Sequence, residues 1–435
     1  MLRSLIPCFS LQDFNNHPPP FPYSHWPFFT ILGPLILVCH VESDLTVHTC
    51  PPRFPIKILT SHLKTYVLIN SLGMMRLFIW LFQLFCLLLL FYSQLTSSLY
   101  SQDQRSALLQ FKQLFSFSKY GSDYCDQYSY PKMESWKEGS DCCSWDGVTC
   151  DSVRGDVIGL DLSCGWLKGT IPSNSSLFLL HHLQRINLAF NNFEYSPISF
   201  GFGQFARLRY LNLSSSNFFG QVPIELSHLS QLASLDLSSP YMTSTRPLVM
   251  LQTSVVKSLL QNLTKLRELH LDHINMSSVF LSSFMNLSSS LTSLTLKDCH
   301  LSGTLPDSIF RLPNLRKLSL NDNFELIGSF PMVNWTNPLR FLDVSSTLFA
   351  GELPKSIGNL KFLKYLGLSR CNFSKSLPAT LGNLTQLTFF DLSYNNFSGE
   401  IPSSLSNLKA LDCFNLHYNN LNGKISSLLL VGNAK

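Results

Sequence analysis

A fixed spacing of leucines constrains this chain more than any other feature of its sequence. Residues 387 to 410 show the pattern, with large apolar residues at the first, fourth and sixth positions and Asn395 at the ninth. The same unit recurs at steps of 24 or 25 residues, starting at Leu266, Leu291, Leu315, Leu339, Leu363, Leu387 and Leu411. Less regular units start at Val157, Leu183, Leu208 and Leu232, so about eleven units run from residue 157 to residue 435.

The spacing L-x-x-L-x-L-x-x-N predicts one short strand per unit, because alternate side chains of a strand point to the same face. One such unit cannot bury its apolar face alone, whereas stacked units share a continuous core in which each contacts only its neighbours. A period in the twenties with these leucines is the signature of the leucine-rich repeat. We therefore predict an α/β fold, a right-handed leucine-rich-repeat solenoid shaped like a horseshoe.

The ninth position of each unit is expected to turn the chain away from the strand. An asparagine amide there can bond backbone groups of the turn and of the adjacent unit. Four units have asparagine at this position: Asn191, Asn323, Asn395 and Asn419. Other units have a smaller polar side chain or a thiol: Ser216, Cys299, Thr347 and Cys371.

The composition argues against several classes of function. Only 14% of the residues are charged, and the net charge is +5 without a basic run that would suit nucleic acid. We find no G-x-S-x-G, H-E-x-x-H, P-loop or kinase motif, so we expect no enzyme and no cofactor. His270, Asp272 and His273 could approach a metal, but we interpret them as adjacent polar side chains of one strand.

The first hundred residues differ from the repeats. Residues 1–73 are proline-rich without a repeat period, which suggests either a regulatory leader or an extension upstream of the true start. Residues 74–100 begin with two methionines and an arginine, and the apolar run 77–92 follows. This order is typical of a secretory signal peptide. If translation starts at Met1, the run would instead be a signal anchor or transmembrane segment, and either reading predicts export.

Residues 101–117 are expected to form a helix that covers the open end of the array. Ser101 and Gln104 have the spacing of a capping box. Leu108, Phe111 and Phe115 share one face at helical spacing. Terminal repeats need such a cover, since the array would otherwise expose its core.

Four cysteines crowd together just before the repeats: Cys125, Cys142, Cys143 and Cys150. Their spacing does not suit tetrahedral zinc, whose ligands usually come in pairs about two to four residues apart. We therefore favour disulfides in an exported domain over a metal site.

The segment from Trp136 to Cys150 reads W-x-x-x-x-D-C-C-S-W-x-G-V-x-C. It resembles the N-terminal cap of plant leucine-rich-repeat receptors, and the resemblance implies a disulfide-bonded cap over residues 101–156 with bridges Cys125–Cys142 and Cys143–Cys150. The likeness continues through residues 156–193, which are similar to the first repeats of plant receptor-like proteins. These are kinase-lacking cell-surface receptors, several of which sense pathogen molecules.

A second plant feature is the segment L-x-G-x-I-P after the strand, present here as residues 167–172, 301–306 and 397–402. In the resembled family it forms a second, shorter sheet.

The chain stops partway through a unit at residues 421–435, so we expect no C-terminal cap and a truncated member of the family. The unit starting at Leu232 is 34 residues long, and its extra residues suggest either a loop beside a binding face or a bulge with a longer helix.

The resemblance implies an extracellular module, secreted or at the plasma membrane, that binds a protein, peptide or glycan on its concave face. Signalling would then need a partner such as a co-receptor kinase. The alternatives are a soluble secreted inhibitor resembling the polygalacturonase-inhibiting proteins, or a non-functional truncated product. The outward strand positions predict the binding residues, because aromatic and arginine side chains dominate protein interfaces. These candidates are Phe341, Tyr365, Arg370, Phe389, Tyr394 and Tyr418.

The exported chain is also expected to be a glycoprotein. Eight N-x-[ST] sites are candidates for glycosylation: Asn174, Asn262, Asn275, Asn286, Asn334, Asn372, Asn383 and Asn396. A ninth, at Asn212, falls in a predicted strand of the concave face, where a glycan would obstruct binding. We therefore expect Asn212 to be the least suitable of these sites.

Overall fold

The structure, a computed structural model, describes residues 77–89, 103–119, 125, 127–239, 249–332, 335 and 337–422. The chain divides into two units, Met1–Leu81 and Phe82–Lys435, and the repeats belong to the second. The predicted leader, residues 1–73, lies outside the described residues. Residues 77–89 are helical, within the predicted apolar run. In the described part of the chain, no helix combines the length and the apolar character needed to cross a membrane.

Twelve strands form the main sheet, one from each repeat and one from the segment before the repeats. In order along the sheet they are Val148–Cys150, Val157–Asp161, Arg185–Asn187, Tyr210–Asn212, Ser234–Asp236, Glu268–His270, Ser293–Thr295, Lys317–Ser319, Phe341–Asp343, Tyr365–Gly367, Phe389–Asp391 and Cys413–Asn415. The first pair is antiparallel and every later pair is parallel. Equivalent positions pair throughout the repeats, so that Leu366 lies between Leu342 and Phe390.

A second parallel sheet lies after the turn in the later units. Its six strands are Ser302–Thr304, Glu325–Gly328, Leu348–Gly351, Asn372–Lys375, Asn396–Glu400 and Asn420–Asn422. The second and third L-x-G-x-I-P segments enter this sheet as expected, but the first does not. Its strand, Leu167–Gly169, pairs antiparallel with Phe115–Phe117 of the cap. Farther on, Gly220–Gln221 pairs in parallel with Val249–Met250.

The side of the repeats opposite the main sheet carries short helices. The 3-10 helices of the repeats are Ser176–Leu179, Phe200–Gln204, Ile224–His228, Leu281–Asn286, Asp307–Arg311, Lys355–Asn359, Ala379–Asn383 and Ser403–Asn407. The cap adds Lys132–Ser135 and Cys142–Ser144. The long unit starting at Leu232 instead has a full α-helix, Thr253–Asn262, which buries Val255 and Leu259. Residues 240–248 of its insertion are outside the described part.

The core is a stack of apolar side chains from successive units. In the unit starting at Leu363, the first, fourth and sixth positions are Leu363, Leu366 and Leu368, all completely buried. Behind the second sheet, Phe373 and Phe397 are also completely buried and stack with ring centroids 6.1 Å apart. Full burial of each such side chain stabilises the fold by about 1.5–3 kcal/mol. This arrangement confirms the predicted leucine-rich-repeat solenoid.

The ninth position connects neighbouring units as predicted. Asn395 is buried, and its Nδ2 donates to the carbonyl oxygens of Leu368 at 2.7 Å and Leu392 at 3.1 Å. Its Oδ1 accepts from the backbone N–H of Phe373 at 3.0 Å. Where cysteine replaces asparagine, the thiol keeps one of these bonds, as in Cys371 Sγ to the carbonyl oxygen of Val344 at 3.1 Å.

The cap helix is shorter than the predicted 101–117, because it comprises residues 103–112 and Phe115–Phe117 forms a strand. Phe111 and Phe115 still lie together, with ring centroids 5.0 Å apart, and cover the first repeat. Gln104 is buried, and its Oε1 accepts from the backbone N–H of Val157 at 2.7 Å. That bond attaches the cap to the first repeat strand. Ser101, the other half of the predicted capping box, is outside the described residues.

One predicted disulfide pairing is wrong and the other matches the structure. Cys143 is bonded to Cys150, but Cys125 is bonded to Cys164, 39 residues away, and not to Cys142. Cys164 occupies the eighth position of the first repeat, where a left-handed turn with φ of 53° brings its side chain to the cap. Cys142 lies in the hydrophobic core, and its burial raises the pKa of its thiol.

We expect Cys143→Ser to destabilise the cap by about 2 kcal/mol, a modest value because the bridge to Cys150 closes a short loop. The stacked rings of Trp136 and Trp145, with centroids 5.4 Å apart, give a fluorescence signal for the unfolding of this region. Cys413→Ser, which removes a half-buried free cysteine, is the control. Labelling of Cys143 and Cys150 in the native wild-type protein without denaturant would contradict the bridge.

Candidate ligand-binding face

The side chains at the third, fifth, seventh and eighth positions of each unit form one surface over the main sheet, here called the strand face. The in-register pairing of the strands places equivalent positions in straight rows that cross the sheet. Neighbouring members of a row are about 4.8 Å apart, the distance between hydrogen-bonded strands. Side chains of the same kind in adjacent units therefore come into direct contact.

Three of the predicted binding residues form a row at the third position. The rings of Phe341 and Tyr365 stack with centroids 4.2 Å apart and planes 14° from parallel. Tyr365 and Phe389 stack at the same distance with planes 1° from parallel. Lys317 begins the row, its Nζ 5.5 Å from the centroid of the Phe341 ring. We call Lys317, Phe341, Tyr365 and Phe389 the third-position row.

The other three candidates form a second row at the eighth position. The Arg370 guanidinium carbon lies 5.2 Å from the centroid of the Tyr394 ring, and Tyr394 stacks on Tyr418 at 4.2 Å. All three residues have φ between 53° and 55°, in the left-handed region. We call them the eighth-position row. The six candidates were predicted as one set on the outward strand positions, whereas the structure separates them into two parallel rows.

The stacking leaves the rims of the rings available to a partner. A ring that is sandwiched between two neighbours has both faces covered and presents only its edge, so each row is a largely apolar ridge. The eighth-position row adds the hydroxyl groups of Tyr394 and Tyr418. The eighth-position row is the more exposed, with Tyr394 at 45% and Tyr418 at 69%. The aromatic residues of the third-position row are half-buried. Together the rows offer contact area that is already ordered before any ligand arrives.

A buried carboxylate supports the third-position row from below. Asp343, at the fifth position, accepts a hydrogen bond from the Tyr365 hydroxyl at 3.4 Å and from the backbone N–H of Ser345 at 3.0 Å. Burial raises the pKa of the Asp343 carboxyl above its ordinary value of 3.8. Burial of Tyr365, with the charge of Asp343 nearby, raises the pKa of the Tyr365 hydroxyl above its ordinary value of 10, so the hydroxyl stays protonated, as a donor, to higher pH than a free tyrosine.

We expect Asp343→Asn to raise the melting temperature at pH 7 and to have less effect at pH 3. The native state binds the Asp343 proton more tightly than the unfolded chain does. The stability from this group is therefore present below pH 3.8 and is lost as the pH rises through the raised native pKa. Asparagine already occupies the fifth position at Asn187 and Asn415, so it fits the turn. Asp391→Asn is the control, and equal gains at both pH values would contradict the argument.

Ion pairs and hydrogen bonds occupy the histidines in the middle of the strand face. His270 Nδ1 is 3.7 Å from Asp236 Oδ2, and its Nε2 is 2.9 Å from Ser293 Oγ. His273 Nδ1 lies 3.1 Å from Asp298 Oδ2. Among the residues that the structure describes, the one cluster with metal-binding geometry is Cys142, Cys143 and Cys150, and the last two form a disulfide.

The amino-terminal half of the strand face carries a cavity of about 690 Å³ that the sequence analysis did not identify. Four arginines line it: Arg185, Arg209, Arg267 and Arg316. Three of them occupy the second position of their units, just before the strand. Binding residues were expected only at the outward positions of the strands, whereas the second position precedes the strand. The recurrence of arginine at the second position was the available signal.

The candidate glycosylation sites lie mainly away from the strand face. Six of them are exposed: Asn174, Asn262, Asn286, Asn372, Asn383 and Asn396. Asn275 is half-buried, and Asn334 falls outside the described residues. Asn212 lies in a strand of the main sheet, half-buried, with its Oδ1 accepting from the backbone N–H of Ser214 at 2.9 Å. This position agrees with the expectation that Asn212 is the least suitable glycosylation site. Glycosylation of the other sites stays a prediction.

Comparison with protein families finds leucine-rich repeats along the chain. The leucine rich repeat N-terminal domain matches residues 101–151. The leucine-rich repeat region matches residues 332–427, and single leucine rich repeats match residues 207–229 and 290–312. These matches agree with the cap and the stacked units described above.

Two curated proteins are similar to this chain over about three fifths of its length. Receptor-like protein 6 of Arabidopsis thaliana is 45% identical over 282 residues, which are 62% of this chain and 28% of that protein. Receptor-like protein Cf-9 of Solanum pimpinellifolium is 41% identical over 271 residues, which are 60% of this chain and 30% of that protein. The match thus spans less than a third of the length of either relative.

A solved structure is also similar, the plant peptide hormone receptor RGFR1 in complex with RGF2. The likeness covers 66% of this chain and 54% of that one, with a TM-score of 0.50 and 25% sequence identity. That likeness agrees with the leucine-rich-repeat architecture derived from the sequence.

Proposed function

Because this chain belongs to the leucine-rich-repeat receptor-like proteins of plants, we propose that its strand face binds an extracellular peptide or a peptide segment of a protein. The two aromatic rows are the observation that carries the proposal. They place Phe341, Tyr365 and Phe389 in one ridge and Tyr394 and Tyr418 in another, and Arg370 lies at the start of the second. Tyrosine and arginine are the residues that most often dominate binding energy at protein interfaces.

The form of the two rows fits an extended peptide better than a small molecule. Small-molecule sites are concave pockets that surround the ligand. The rows are open ridges that follow the direction across the strands, so a chain lying along them meets several units in turn. Asp391, half-buried at the fifth position of its unit, lies between the rows and can accept a hydrogen bond from the peptide backbone. The similar structure of the plant peptide hormone receptor RGFR1 in complex with RGF2 supports a peptide as the ligand class.

Signalling is a separate part of the proposal. In keeping with the kinase-lacking receptor family that the sequence resembles, we propose that a bound ligand acts through a partner, a co-receptor kinase. We further propose an extracellular location, supported by the secretory signal features of residues 74–100, the disulfides of the cap and the cell-surface character of the matched receptor-like proteins. Glycosylation at the exposed sites belongs to the same proposal.

Selection of a random peptide library on the secreted protein tests this function. Calorimetry would then compare the enriched peptides on two variants that each carry four alanines. The first changes the strand face at Tyr365, Arg370, Phe389 and Tyr394. The second changes the other surfaces at Lys355, Lys375, Lys409 and Asn407. Loss of one central aromatic contact costs at least about 2 kcal/mol, so we expect the strand-face variant to weaken binding by roughly thirtyfold or more.

We expect the second variant to bind within about threefold of the wild type, because single surface contacts outside an interface contribute little. Circular dichroism would confirm that both variants remain folded. Binding that is lost in the second variant and retained in the first would refute the strand-face assignment. Failure of the library to yield any specific peptide would refute a peptide as the ligand class.

A further inference from the structure

The amino-terminal half of the strand face has a regular row of arginines at the second position. Arg209, Arg267 and Arg316 precede every other strand of the main sheet, and Ala233 and Thr292 precede the strands between them. Strands are about 4.8 Å apart, so successive arginines of this row are roughly 10 Å apart. We call Arg209, Arg267 and Arg316 the arginine row.

The backbone fixes this spacing. The N–H of Ala233 donates to the carbonyl oxygen of Arg209 at 2.8 Å, and the N–H of Arg267 donates to that of Ala233 at 2.7 Å. The same bonds continue through Thr292 to Arg316, at 2.7 and 2.8 Å. The main-sheet ladder therefore extends to the second position. The Cα atoms of the three arginines are therefore spaced as regularly as the strands that follow them.

The guanidinium groups of the arginine row are exposed and without acidic partners in the described part of the chain. The two carboxylates of the same cavity have other partners. Asp161 pairs with Lys132 at 3.2 Å, and Glu268 accepts from Ser234 Oγ at 2.8 Å. Of these two carboxylates only Asp161 is paired with a cation, so four arginines surround a cavity with one further negative charge, that of Glu268. The surplus positive charge is available to an anionic ligand.

We propose that the arginine row binds an acidic segment of the peptide ligand, in polyproline II conformation with a carboxylate at every third residue. This inference rests on the proposed peptide-binding function and adds the chemistry and placement of one part of the ligand. A polyproline II helix has three residues per turn and rises about 3.1 Å per residue, so every third side chain lies on one face about 9.3 Å apart. That repeat matches the spacing of the arginines.

The mixed charge of the cavity favours a peptide over a uniformly charged polymer. Glu268 is exposed among the arginines, and a continuous polyanion such as an acidic glycan would have to lie against it. A peptide with two neutral residues between its carboxylates can place a neutral residue there. The basic row continues through Arg340 and Lys364 at the second positions of the next units, towards the third-position row. One extended peptide can therefore use both halves of the strand face.

The test uses three synthetic peptides with a fluorescent label and anisotropy measured on the full secreted chain. The first is Glu-Pro-Pro-Glu-Pro-Pro-Glu, which spans about 19 Å and reaches all three arginines. The second has the same composition in the order Pro-Pro-Glu-Glu-Glu-Pro-Pro, and the third replaces each glutamate of the first by glutamine. We expect the first to bind at least about tenfold more tightly than the other two, with affinity falling as salt is added.

A variant with Arg209→Gln, Arg267→Gln and Arg316→Gln should bind the first peptide about tenfold less tightly. The control variant carries Lys355→Gln, Lys361→Gln and Lys409→Gln, which remove the same charge from exposed positions on the helix side. It should bind like the wild type. Equal binding of the permuted peptide, or unchanged binding by the triple arginine variant, would overturn the inference.

Two further measurements separate this inference from the proposed function. Tyr365→Ala with Phe389→Ala should leave binding of the short acidic peptide unchanged while weakening the peptides selected from the library. If the short peptide fails to bind but library peptides still depend on the aromatic rows, this inference fails and the proposed function stands. If oligogalacturonate binds more tightly than the peptide and depends on the arginine row, the ligand of this row is an acidic glycan and the inference is wrong.

Discussion

Leu366→Ala should lower the free energy of unfolding by about 2–5 kcal/mol. Leu366 is at the fourth position of a central unit, completely buried, and its neighbours across the sheet are Leu342 and Phe390. Truncation removes the burial of the leucine side chain and leaves a cavity. The units above and below restrict how far the structure can close around that cavity, because each repeat is packed against its neighbours on both sides.

The adjacent residue provides the matched control. Tyr365 points to the strand face and is half-buried, so Tyr365→Ala should cost clearly less than Leu366→Ala although it removes more atoms. Chemical denaturation of both variants with the same midpoint assay measures the difference. Equal losses for the two variants would show that the strand register is shifted by one residue. Some loss at Tyr365 is expected, since its ring stacks on two neighbours at 4.2 Å.

Asn395→Ala should destabilise the array by about 2–4 kcal/mol, more than its small size suggests. The amide of Asn395 serves the carbonyl oxygens of Leu368 and Leu392 and the N–H of Phe373, which belong to two neighbouring units. Removing it leaves these backbone groups without their partner inside the fold. An unpaired buried polar group costs about 1–3 kcal/mol.

Asn395→Cys is the informative companion to Asn395→Ala. The thiol of Cys371 already donates to the carbonyl oxygen of Val344 from the equivalent position, so a cysteine at 395 should recover part of the loss. Asn407→Ala, at an exposed position of a 3-10 helix, is the neutral control. Thermal unfolding followed by circular dichroism compares the three variants. A stability of Asn395→Ala within 0.5 kcal/mol of the control, the usual range for surface changes, would contradict the bonding role.

The period of the sequence was sufficient to predict the strands and their register. Alternate side chains of a strand point to the core and to the solvent, so the leucines at the first, fourth and sixth positions fixed which face is buried. Leu366 and Tyr365 lie on the sides that this reasoning assigned to them. The aromatic candidates were also predicted, but their separation into two rows depends on the left-handed turn at the eighth position. That turn is visible only in the backbone.

Features that depend on contacts between distant segments were not predicted. Phe115 fits a helical face as well as it fits a strand, and its strand forms because Leu167–Gly169 lies alongside. The family resemblance implied Cys142 as the partner of Cys125, whereas the fold brings Cys164 to it from the first repeat. The arginine row was missed because the second position precedes the strand, and only the extended backbone ladder shows that it is aligned across units.

The buried cysteines at the ninth position can report local unfolding of the repeats in solution. Cys299 Sγ donates to the carbonyl oxygen of Leu271 at 3.1 Å, and Cys371 makes the equivalent bond to Val344. Both thiols are buried, and burial raises the pKa of each, so the reactive thiolate form is suppressed in the native state. An alkylating reagent can therefore react only when the units around the thiol separate. The rates of modification of Cys299 and Cys371 then measure local unfolding in two different repeats, without any engineered probe.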